Sequence, residues 1–117
     1  MEPHKLSREQ VRVIEGTFRR REPLALSAIS LLEIAVLASE SRNRFGATLD
    51  EIFDELQVEP GFLVLPLTYE IAFEVAALAS LRDPADRAIV ATARVHRLRL
   101  VTSDQRIVDS KLVPVVE

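Results

Sequence analysis

Three carboxylates stand where they could do metal chemistry: Glu33 in "ISLLEIAVLAS", Asp86 in "RDPADRAIVATARV" and Asp104 in "LRLVTSDQRI". Glu33 is the one polar residue in the run from Leu31 to Ala38. An ionised carboxylate isolated in an apolar interior is costly, so Glu33 must be neutral, paired, metal-bound or at a wet edge. Acids gathered at one rim raise one another's pKa unless a cation sits among them. An all-oxygen set of Asp and Glu suits Mg²⁺ or Mn²⁺, hard ions that keep several waters and often bridge to phosphate. The chemistry that fits is phosphodiester hydrolysis. One metal lowers the pKa of an attacking water, and a second, if present, stabilises the leaving oxygen.

Each acid also has a purely structural reading. Ser30 and Glu33 have capping-box spacing, so Glu33 would only cap its helix if that helix began late. Asp86, three residues after Asp83, could simply compensate a helix dipole. Asp104 in "TSDQ" could be a turn residue or the cap of the next helix. None of the three is specific alone. The two histidines, His4 and His96, lack metal-ligand spacing, and the three glycines at 16, 46 and 61 form no phosphate loop.

The elements that must position these acids are legible from caps and periodicity. In "LSREQV", Ser7 and Gln10 have capping-box spacing, with Leu6 and Val11 as a hydrophobic staple. Val11, Ile14 and Phe18 then share a face, and Arg19, Arg20 and Arg21 fall in the last turn. "PLALS" is a strand, followed by the helix of Glu33. "TLDEIFDEL" opens another helix with a second capping box, Thr48 and Glu51. Pro60 and Gly61 mark a turn before the apolar strand "FLVLP". Thr68 caps the next helix, whose inner face is Ile71, Ala72, Val75, Leu78 and Ala79. Asp83 is an N-cap with Pro84 at the first helical position. "LRLVTSD" and "LVPVV" read as strands.

Helices alternating with short apolar strands indicate an α/β domain with a largely parallel sheet, whose sites lie beyond the carboxyl ends of the strands. The 117 residues suit one domain, and 48% hydrophobic with 28% charged residues is the balance of a globular protein. A net charge of −3 offers no overall basic field, so nucleic acid would have to be held by local patches such as "RRRE". The absence of cysteine removes disulfides and thiolate metal sites and fits a reducing cytoplasm. No apolar run is long enough to span a bilayer, and "MEPHKLSREQ" lacks the apolar centre of a signal peptide.

Together, "LSAISLLEIAV", "LPLTYEIAFEVAAL", "RDPADRAIVATARV" and "LRLVTSDQRI" resemble the PIN domain, and within it the VapC-type toxins of bacterial toxin–antitoxin pairs. Order and spacing agree over nearly the whole chain, and the most specific piece is "RDPxDR" with its apolar helix followed by a strand ending in "VTxD". The resemblance implies a three-layer domain over residues 1–117, a small parallel sheet flanked by helices. It implies a metal-dependent endoribonuclease using Mg²⁺ or Mn²⁺, with Glu33, Asp86 and Asp104 as metal-binding and catalytic acids. Thr102 and Ser27 or Ser30 would be hydrogen-bonding neighbours, and Arg87 would hold a carboxylate or contact substrate. The implied partners are RNA, a small antitoxin that covers the acidic pocket, and a second copy in a homodimer. Family members open with a central strand ending in a fourth acid. No such strand precedes "EPHKLS", so the expectation is an N-terminally incomplete domain, truncated or impaired. The alternative is a catalytically silent PIN-like binding module. A receiver-like phosphoacceptor fits poorly, for the expected lysine after a late strand is not evident.

Overall fold

Ser7 and Gln10 open the first helix reciprocally: the Gln10 N–H donates to Ser7 Oγ at 3.1 Å, and the Ser7 N–H to Gln10 Oε1 at 3.0 Å. The computed structural model describes residues 7–40, 54 and 62–117. In chain order its elements are α1 (Arg8–Arg19), β1 (Leu24–Ser27), α2 (Ala28–Glu40), β2 (Phe62–Leu65), α3 (Tyr69–Ala77), α4 (Pro84–Val95), β3 (Leu100–Val101), α5 (Gln105–Ser110) and β4 (Val115–Val116). The expected staple residue Leu6, the second capping box and the Pro60–Gly61 turn lie outside the described residues. The chain divides into two compact units, Met1–Gly16 with Leu67–Glu117, and Thr17–Pro66.

In the Thr17–Pro66 unit, β1 and β2 pair in parallel, with Leu24 opposite Phe62 and Ser27 opposite Leu65. The α2 helix follows β1 without a break, and Ser27 Oγ accepts the Ile29 N–H at 3.1 Å, satisfying a donor of its first turn. Because α2 begins at Ala28, Ser30 lies inside the helix, and the Ser30–Glu33 capping box is excluded. Helical geometry divides the apolar run into two faces. Leu31, Ile34 and Ala35 are partly buried, whereas Leu32, Glu33 and Val36 fall on the opposite face and are exposed. The run is therefore not a buried helix, and Glu33 needs no apolar desolvation.

In the other unit, α3 packs on α4 around Ile71, Leu78, Val90 and Ala91, which are at most 2% exposed. Thr68 caps α3, its Oγ1 accepting the Ile71 N–H. Two alanines expected on the inner face, Ala72 and Ala79, are instead exposed. The helix stops at Ala77, and the buried stripe is the narrower Ile71, Val75, Leu78. Asp83 caps α4 through the Ala85 N–H, with Pro84 as its first residue. Arg94 joins the two helices, its Nε 2.7 Å from Glu74 Oε1, while its Nη1 donates to the Leu112 carbonyl.

The strands β3 and β4 pair in parallel, extended by the Leu100 N–H to the Pro114 carbonyl and the Thr102 N–H to the Val116 carbonyl. The α1 helix reaches these strands through Gln10, whose Nε2 donates to Ser103 Oγ and the Val116 carbonyl. Gln10 is 1% exposed and Val11 is 37% exposed, so the amide takes the buried place expected of the valine. The helix ends at Arg19, so Arg20 and Arg21 follow it rather than occupy its last turn. The described residues are thus small parallel sheets flanked by helices, the α/β class that the alternation of elements predicts.

Candidate functional site

Asp86 and Asp104 reach the site from opposite kinds of terminus. Asp86 is the third residue of α4, fixed by the Asp83 cap and Pro84 that start the helix. Asp104 follows the carboxyl end of β3 and caps α5, its Oδ1 accepting the Arg106 N–H at 2.9 Å. Thr102 Oγ1 accepts the Asp104 N–H at 3.1 Å, which fixes the turn that leaves the strand. Asp104 thus stands at the carboxyl end of a strand, with Thr102 beside it, and Asp86 at the start of a helix.

The two carboxylates meet around a guanidinium. Arg106 Nη2 lies 3.1 Å from Asp104 Oδ2 and 3.6 Å from Asp86 Oδ2, and Arg106 Nε donates to Asp104 Oδ1 at 3.3 Å. The acids differ in how they tolerate charge. Only 14% of the Asp86 side chain is exposed, and its carboxyl titrates above the usual range. Burial is the chief cause, the charges of Asp83 and Asp104 add to it, and Arg106 opposes it. The Asp104 carboxyl is held below its usual range, first by the Arg106 side-chain hydrogen bond and then by backbone donors at the helix start. A cavity of about 470 Å³ opens beside them, lined by Ser80, Leu81, Arg82, Asp83, Asp86, Arg106, Asp109 and Ser110.

The remaining expected residues sit elsewhere in their local structure. Arg87 Nε donates to the Leu81 carbonyl, so this side chain braces the loop between α3 and α4. The arginine that meets Asp86 and Asp104 is Arg106, which the motifs in the sequence did not single out. Its signal was available: an Arg two residues after a helix-capping Asp returns to the carboxylate its own N–H already serves. Glu33 lies in the second turn of α2, exposed, in the Thr17–Pro66 unit, where Ser27 caps the same helix and Ser30 sits partly buried in its first turn. Among the described residues, no group of three or more His, Cys, Asp or Glu is placed to hold a metal ion.

A model of the PIN domain matches residues 1–111. The chain belongs to the PIN-domain family. It is similar to ribonuclease VapC22 of Mycobacterium tuberculosis (strain ATCC 25618 / H37Rv), with 35% identity over 108 residues that cover 91% of this chain and 78% of that protein. Two solved structures share its fold. A toxin–antitoxin complex from Klebsiella pneumoniae superposes with a TM-score of 0.64 at 24% identity, covering 91% of this chain and 83% of that one. The crystal structure of FitAcB from Neisseria gonorrhoeae gives 0.69 at 22%, covering 97% and 87%. The chain is a PIN-domain protein resembling the VapC-type toxin ribonucleases. Among the described residues, no helix is long and apolar enough to cross a membrane.

Proposed function

We propose that this PIN-domain chain is a divalent-metal-dependent endoribonuclease, the toxin of a type II toxin–antitoxin pair acting in the cytoplasm. The observation that carries the reading is the meeting of Asp86 and Asp104 on one positive charge, in a chain of the PIN family. The donor set fits Mg²⁺ or Mn²⁺, because two carboxylates drawn from a helix start and a strand end already share a cation through their Oδ2 atoms. Glu33 joins them in the proposal on its motif alone.

Asp86 and Asp104 would hold the divalent ion, which when bound would supply positive charge and Lewis acidity at a phosphodiester. The chain's own residues set the terms of that chemistry. Asp104 stays ionised, for Arg106 and the backbone donors of α5 favour its charged form. Asp86, poorly solvated and near other acids, holds its proton more readily and gains most from a cation. Thr102 and the Asp83 cap keep the two acids oriented.

The partners in this reading are RNA, an antitoxin and a second copy of the chain. A toxin–antitoxin complex among the fold relatives supports the antitoxin. A catalytically silent PIN-like module is the second reading, favoured by the lack of a three-residue ligand group among the described residues. Mn²⁺ is expected to raise the thermal unfolding midpoint, with the rise reduced in Asp86→Asn, Asp104→Asn and Glu33→Gln. Cleavage of a labelled RNA should need Mn²⁺ or Mg²⁺ and stop in EDTA. A metal response identical in all three variants would end the assignment. A normal metal response without cleavage would leave the silent module.

A further inference from the structure

We infer that Arg106 is the resident counter-ion of the acidic pair, a positioning residue that holds Asp86 and Asp104 together in the metal-free protein and yields its place to a divalent cation. The inference rests on the proposed function and deepens it. The Nη2 group lies 3.1 Å and 3.6 Å from the Oδ2 atoms of the two acids. Asp86 and Asp104 are the acids that would hold a divalent ion in the proposed function. A guanidinium and a divalent ion repel, so both cannot hold that place.

Four further observations fit a displaceable cation. The Arg106 side chain is 72% exposed, so swinging outward costs little buried surface. Its backbone N–H to Asp104 Oδ1 is independent of the guanidinium, so α5 keeps its cap when the side chain leaves. Arg87, the arginine next to Asp86 in sequence, is held on the Leu81 carbonyl and does not take over the pair. The cavity beside the pair gives the side chain room to move, and Arg82 and Arg106 both line it.

The test is Mn²⁺ affinity of the full chain, read from the electron paramagnetic resonance signal of the free ion. Arg106→Gln is expected to bind Mn²⁺ about two- to fivefold more tightly than the parent, the range expected when an exposed competing cation is lost. Arg106→Lys, which keeps a charge but not the fork, should fall between them. Asp86→Asn and Asp104→Asn, measured alongside, should bind more weakly. Unchanged or weaker binding in Arg106→Gln, with the Asp variants weakened, overturns the competition and leaves the acids as ligands. Unchanged binding in both Asp variants overturns the metal reading and removes the basis of the competition with it.

Discussion

Gln10 is the buried polar residue on which the β3–β4 rim hangs, and its removal has a calculable cost. Three hydrogen bonds converge on its amide: the Ser7 N–H at 3.0 Å, Ser103 Oγ at 3.2 Å and the Val116 carbonyl at 3.1 Å. Each is worth about 1 kcal/mol net. Ser7 and Ser103 are near enough to solvent to find water, and the Val116 carbonyl keeps the Thr102 N–H at 3.2 Å. The full penalty for unpaired groups is therefore not incurred. Truncation adds the loss of a buried methylene, about 0.8 kcal/mol. Gln10→Ala should thus destabilise the protein by about 3–4 kcal/mol. Gln10→Leu, which restores apolar volume without the bonds, should cost about 2–3 kcal/mol. In urea unfolding followed by far-UV circular dichroism, the alanine variant's midpoint should fall by roughly 1–2 M at an unchanged slope. A loss below about 0.5 kcal/mol for Gln10→Ala would mean that the amide does not hold α1 to the strands. Equal losses for Ala and Leu would assign the effect to the hydrogen bonds alone.

Further outcomes follow from the site and from one strained turn. Asp86 titrates above its unfolded value, so its contribution to stability is full below the unfolded carboxyl range and is lost as pH rises through its folded pKa. In EDTA at neutral pH, Asp86→Asn should therefore unfold at higher temperature than the parent, with the gap closing as acid neutralises Asp86. Asp104 has the opposite sign: its stabilisation is present above the unfolded range and lost as pH falls through its depressed pKa. Asp104→Asn keeps a good helix cap, so it should be less stable near neutrality and match the parent in acid. The same direction of change in both variants would contradict the opposed shifts. Lys111, the C-cap of α5, is left-handed at φ 56°. Lys111→Gly should raise stability by about 0.5–1 kcal/mol in thermal unfolding, since glycine adopts that region without a Cβ clash. A loss would show that the lysine side chain is needed there.

What the sequence made legible was local. The Ser7–Gln10 box, the Thr68 cap and the Asp83–Pro84 start each involve residues two or three apart, so composition and spacing determine them. The strands of the first sheet, Leu24–Ser27 and Phe62–Leu65, lie far apart in the chain, yet their apolar runs mark them as strands. Reading failed where one residue serves two distances at once. Spacing marks Gln10 as half of a capping box, but its amide also bonds Val116, a partner 106 positions away that no periodicity indicates. The exposure of Glu33, one of the options its apolar run leaves open, follows once the run is divided by helical angle. At 100° per residue, Glu33 falls with Leu32 and Val36, away from Leu31, Ile34 and Ala35. The site shows the same division. That Asp104 would stand at a sheet rim follows from the rule for strand ends in parallel sheets, whereas Asp86 opens a helix that follows a helix and is outside that rule. That a guanidinium would stand between them does not follow from it either, because it depends on how α5 is capped. Once Asp104 accepts the Arg106 N–H, the Arg106 side chain starts within reach of the same carboxylate. Asp86 then adds a second acceptor from α4. The cation follows from the cap, so the two functions of Asp104, ending a loop and holding positive charge, are one geometry.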